Sequence, residues 1–143
     1  MNTSNKITEV DRKVLFSTLW IFVLLNIIFR DIHELVTAEA LQEIMTGVIN
    51  GRQISEELIF IGAFIVEIPI VMVLLSRILK YSLNRWANII AGAVTLVVVV
   101  TGAITDLDDW FFVIVESVAL IFIIWYAWKW PKQEAQVDSI VTI

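Results

Sequence analysis

LIFIGAFIVEIPIVMVLLSRIL, running from Leu58 to Leu79, contains only three polar side chains: Glu67, Ser76 and Arg77. A helix needs about 20 apolar residues to cross roughly 30 Å of hydrocarbon, and this stretch supplies them. Its valines and isoleucines favour strands in water, but the run is far too long for a strand and does not alternate. A helix also satisfies every backbone group internally, as lipid demands. The stretch therefore predicts a membrane span. Three more segments read the same way: Val14 to Phe29 (VLFSTLWIFVLLNIIF), Trp86 to Thr105, and Trp110 to Trp128. The expected fold is an all-α membrane protein, a four-transmembrane-helix bundle forming one domain over residues 1–143.

Composition agrees. The 143 residues are 59% apolar and 17% charged, with a mean hydropathy of +0.84. Soluble domains average about 45–50% apolar and about 25% charged, and one this small could not hide so much apolar surface. The lack of cysteine excludes disulfides, thiol redox relays and iron–sulfur ligation. A single histidine, His33, leaves no cluster for haem, di-iron or zinc centres, so no cofactor and no metal are expected. The first span reads as a retained helix. Arg30, Asp31, His33 and Glu34 separate it from the Ala-x-Ala at Ala38–Ala40, whereas a signal-cleavage region is short and uncharged.

Charge placement gives an orientation. Lys6, Arg12, Lys13, Arg77, Lys80, Arg85, Lys129 and Lys132 fall at one end of the spans. Arg30 and Arg52 lie at the other, among Asp31, Glu34, Glu39, Glu43, Glu56, Glu57, Asp106, Asp108 and Asp109. The positive-inside rule makes the basic end cytoplasmic, with both termini inside and the chain in the cell membrane. Trp86, Trp125, Tyr126, Trp128 and Trp130 are expected as aromatic anchors at that end, and Trp110 at the other.

The short links after the second and third spans predict antiparallel neighbours. In the second of these links, Asp106 or Asp108 is expected to cap the following helix, a better reading than a cation site. The long outer loop, residues 31–57, carries Ala38, Leu41, Ile44, Met45 and Val48 at helical spacing, with Glu39, Gln42 and Glu43 opposite. It predicts an amphipathic helix, either a lid over the bundle mouth or a packed connector. Gly47 and Asn50–Gly51 should end it, and Ser55 should restart the chain into the next span.

Ionisable groups in hydrocarbon are costly and mark function or an interhelical tie. Glu67 falls near the middle of its span and Glu116 about two turns into the fourth. Asn26, Asp31 and His33 lie toward the outer end of the first. These five residues are expected to line one polar cavity opening outward, with Glu67 and Glu116 as proton-titratable groups. Pro69 should loosen the helix beside Glu67, since it donates no backbone bond and disturbs the carbonyl of Ile65. The alternative for Glu116 and Asn26 is a structural hydrogen bond between helices. Ala87, Ala91 and Thr95, with Gly92 nearby, predict close helix packing. Ser76, Arg77, Asn84, Arg85 and Asn88 form a polar cluster at the basic end, where Arg77 and Arg85 are expected to touch lipid phosphates.

Leu75 to Gly92 (LSRILKYSLNRWANIIAG), with EIPIVM from Glu67, FSTLWIFVLLN from Phe16 and IIWYAWKWP ending at Pro131, resembles an uncharacterised family of small bacterial four-span membrane proteins. The likeness covers roughly Leu15 to Pro131 and implies a bacterial cytoplasmic membrane, without implying an activity. In outline the chain is also similar to the DoxX-like and sigma-2-receptor-like group, whose members bind sterols or amines in an acidic cavity. Small multidrug transporters and fluoride channels work as dual-topology dimers, which the one-sided charge here disfavours.

Three readings follow. The first is binding or transport of a small amphipathic or cationic ligand, with Glu67 central, Glu116 and Asn26 in support, and Asp31 and His33 as an outer gate. The second is a non-catalytic accessory subunit in a membrane complex. The third is a lipid-modifying enzyme using Glu67 and Glu116 as acid and base. The expected partners are membrane lipids, such a ligand, and a further copy or a membrane partner. Nucleic acid is not among them, because the basic residues are few and juxtamembrane.

Overall fold

The computed structural model describes residues 3–49, 51–102 and 107–130. It consists of α1 (Thr3–Glu34), α2 (Ala38–Thr46), a two-residue hairpin of β1 (Val48–Ile49) and β2 (Arg52–Gln53), then α3 (Glu56–Ile78), α4 (Tyr81–Thr101) and α5 (Leu107–Trp128). Four stretches are long and apolar enough to cross a membrane: Val10–Glu34, Glu56–Ile78, Tyr81–Thr101 and Leu107–Trp128. The all-helical, four-span expectation stands. The third span begins five residues earlier than its hydropathy suggests, because Tyr81 to Arg85 are already helical. That shift turns Asn84 and Arg85 from linker residues into helix residues, and leaves only Leu79 and Lys80 between α3 and α4.

The four long helices form a ring. α1 packs on α3 and α5, and α4 packs on α3 and α5, so α1 faces α4 and α3 faces α5 across diagonals. The core lies along the axis, where Phe16, Trp20 and Val23 of α1 meet Leu120, Ile123 and Ala127 of α5. At the end where the chain enters and leaves, Trp130 is only 4% exposed. It stacks on Phe16 and meets Tyr81 edge to face, with ring centroids 5.5 and 5.2 Å away. The Tyr81 hydroxyl donates to its carbonyl at 2.8 Å. Trp130 is therefore a plug rather than a surface anchor, while Trp86, Trp125, Trp128 and Trp110 are exposed as expected of anchors.

Small residues set the closest approach. A Cβ on Gly92 would sit 2.9 Å from Ile124 Cγ1, so α4 and α5 touch there nearly backbone to side chain. Ile124 is β-branched and stiff at χ1, so it cannot swing aside cheaply. Gly92→Ala is expected to cost about 1–3 kcal/mol through overpacking, and Ile124→Ala, which removes Cγ1, should cost less in that background than in the parent chain. Thermal unfolding in detergent micelles measures both; an unchanged single variant would show that the contact is loose.

In the outer loop, the Thr37 hydroxyl caps α2 by accepting from the Ala40 N–H at 3.3 Å. Gly47 ends it at φ 70°, its N–H bonding back to the last turn. Such a left-handed residue favours glycine. Leu41, Ile44 and Met45 stay exposed, and none of α2's residues is buried. Ser55 caps α3, accepting from the Leu58 N–H at 3.2 Å. Asn50 and Asp106 lie outside the described residues. Asp108 falls within the first turn of α5, not before it, where a carboxylate still favours the helix dipole.

Candidate functional site

Polar groups in the bundle fall into three separate places. The first is the α1–α5 seam at the acidic end. Arg30 Nη1 donates to Glu116 Oε2 at 3.1 Å, with the arginine side chain 19% exposed and the glutamate fully buried. Glu116 Oε1 is buried with no described partner. Nearer the mouth, His33 Nδ1 lies 3.2 Å from Asp108 Oδ2, both side chains well exposed. Asp31 is exposed at the same end, while Asp109 is buried.

The second place is a buried hydrogen-bond network joining α1, α3 and α4 toward the basic end. The Trp20 indole N–H donates to Asn88 Oδ1 at 2.7 Å, and the Ser76 hydroxyl reaches the same oxygen at 3.4 Å. Asn88 Nδ2 donates to the Asn84 side-chain oxygen at 2.6 Å, and Asn84 Nδ2 donates to the Ser76 carbonyl at 2.7 Å. The Ser17 hydroxyl adds a bond to the Val73 carbonyl at 2.9 Å. Trp20, Ser76, Asn84 and Asn88 are all fully buried. In hydrocarbon, such groups hold helices together only when each finds a partner.

The third place is Glu67. It stands eleven residues from either end of α3 and is exposed, whereas Pro69 is buried. Two residues turn a helix by about 200°, so a proline on the inner face puts its neighbour two back on the outer one. α3 runs unbroken through Pro69, whose missing N–H leaves the Ile65 carbonyl without its usual donor. Beside Glu67 lies a groove of about 280 Å³ between α3 and α4, lined by Phe64, Ile68, Val71, Met72, Leu75 and Ala91. No described residue bonds the Glu67 carboxylate.

The five residues expected in one cavity are thus not brought together. Glu67 is on α3 facing outward, diagonally across the ring from Glu116 on α5. Asn26 does not tie to Glu116: its Nδ2 donates to the Phe22 carbonyl of its own helix at 2.8 Å. An acid–base pair needs both groups within reach of one substrate, and this arrangement denies it to Glu67 and Glu116. Arg30, the actual partner of Glu116, was read from sequence only as a charge just past the outer end of the first span. Its place one helical turn after Asn26 was the available signal. Of the two arginines assigned to lipid, Arg77 is exposed. Arg85 is spent largely on the chain itself: Nη2 donates to the Trp128 carbonyl at 3.1 Å, and the guanidinium lies over the Trp128 ring. A cation there complements the C-terminal dipole of α5.

No curated protein and no solved structure is similar to the chain at a significant level. A family model does match, over residues 5–137, nearly the whole sequence. That match places the chain in the family of unknown function DUF6326.

Proposed function

We propose that this protein resides in a bacterial cytoplasmic membrane with both termini inside, and that it binds an amphipathic or cationic small molecule at Glu67. The observation that carries the reading is a carboxylate exposed at the midpoint of an apolar span, beside an apolar groove. An ionised group at that depth costs about 2.5–3.5 kcal/mol even on insertion scales, so a cationic occupant offsets a standing penalty. The groove supplies apolar contact for the remainder of the ligand, near the lower end of the volumes small molecules use. The Arg30–Glu116 pair then holds the bundle in shape instead of forming part of the ligand site, and Asp31 and His33 edge its acidic mouth.

Binding of a long-chain alkylamine to the reconstituted protein tests this. Glu67→Gln should remove the affinity; if it leaves the affinity unchanged, the reading is wrong. A second reading, an accessory subunit of a membrane complex, is favoured by one observation. Only 11% of the most apolar part of α3 is buried, against 28–33% for the other three helices.

A further inference from the structure

The uncovered face of α3 extends beyond the groove. Phe60, Phe64, Val71, Leu74 and Ile78 are all exposed along it, covering most of the helix length, and Glu67 sits at its centre. Lipid tails can solvate the apolar members of that row but offer no donor to a carboxylate. Close approach is open there as well: Ala63, four residues before Glu67 and so on the same face, is small and exposed. Small residues next to a polar one are how membrane helices approach and hydrogen-bond.

A second copy of this chain brings no suitable charge. Lys and Arg sit within four residues of the span ends or in loops, and the two deepest are engaged, Arg30 with Glu116 and Arg85 with the Trp128 carbonyl. Two α3 helices facing each other in parallel register would oppose Glu67 to Glu67. The complementary charge must come from outside the chain, and an occupant that also covers the apolar row must run along it. We propose that the outward face of α3 docks a transmembrane helix of another protein carrying a single Lys or Arg near its midpoint, which pairs with Glu67. This rests on Glu67 being a cation-binding carboxylate and names the partner that delivers the cation.

The test uses the full-length protein in phosphatidylcholine vesicles, labelled for energy transfer to synthetic polyleucine-based transmembrane peptides. One peptide carries lysine at its centre, one carries it at an end, and one has leucine throughout. Interhelical polar contacts in lipid correspond to about fivefold to thirtyfold in affinity. The central-lysine peptide should bind tighter than both others by that factor, and Glu67→Gln should erase the difference. Glu67 has no described partner, so this variant should keep its helicity and should not lower the unfolding midpoint; a lowered midpoint in the absence of peptide would overturn the claim that the face is uncovered. Equal binding of the three peptides, with Glu67-dependent alkylamine binding intact, overturns helix docking but leaves the small-molecule reading standing. If neither probe senses Glu67→Gln, both fail. Energy transfer between differently labelled copies of the protein that disappears in Glu67→Gln would assign the face to self-association and overturn the proposal.

Discussion

Arg30→Ala is expected to destabilise the bundle by about 3–5 kcal/mol, the cost of leaving a buried charge without its counter-ion. Glu116 is fully buried and already has one oxygen without a described partner, so no described residue stands ready to take over the role of the guanidinium. The asymmetry of a buried pair makes the prediction specific. Glu116→Gln keeps a neutral acceptor beside Arg30 and should cost less than removing the arginine. Arg30→Met combined with Glu116→Leu replaces both charges with apolar volume and should return most of the lost stability, as exchanged buried ion pairs often do. Unfolding followed by circular dichroism in detergent micelles measures all three. If Arg30→Ala shifts stability by less than about 1 kcal/mol, the pair behaves like a solvent-exposed one and its burial has no energetic meaning.

Asn88→Leu is expected to be the next most damaging change, at about 2–4 kcal/mol. The substitution strands the Trp20 N–H and the Asn84 side-chain oxygen in a fully buried site, and unsatisfied buried groups cost about 1–3 kcal/mol each. Ser76→Ala is the internal comparison. Its bond to Asn88 is long, at 3.4 Å, and its carbonyl, which receives Asn84, survives the substitution. That variant should lose under about 1 kcal/mol, within the range of single hydrogen bonds between membrane helices. Equal effects from the two variants would show that the network does not work through Asn88. Trp20→Phe separates packing from bonding at the same point, since it keeps an aromatic ring while removing the donor to Asn88.

The polar cluster at the basic end was partly legible. Ser76, Asn84 and Asn88 stood out as polar residues near span ends, and their neighbourhood to Arg77 and Arg85 suggested a surface for lipid phosphate. Two facts were hidden. Helix α4 begins at Tyr81, which carries Asn84 and Asn88 one helical turn apart on its buried face. The partner of Asn88, Trp20, comes from α1, 68 residues away in sequence, and Ser17 of the same helix bonds the Val73 carbonyl of α3. A tryptophan inside a hydrophobic run reads as apolar bulk, and only contact with Asn88 shows that its N–H matters. Trp130 failed as an anchor for a related reason: its place just past the end of the fourth span suggested the interface, whereas Phe16 and Tyr81 enclose it.

The four helices, the acidic and basic ends and the caps at Gly47 and Ser55 were determined by the sequence itself. Hydrocarbon thickness, backbone satisfaction and local turn chemistry act on neighbouring residues, and so can be read along the chain. The direction each intramembrane charge faces was decided by tertiary structure alone. Glu67 and Glu116 look alike in sequence, each a lone acid in an apolar run. Which one turns inward depends on how α3 and α5 rotate to pack Pro69, Leu120 and Ile123 into the ring. That rotation buries Glu116 against Arg30 of α1 and leaves Glu67 on the outside. One acid thus became part of what holds the bundle together, and the other a binding candidate.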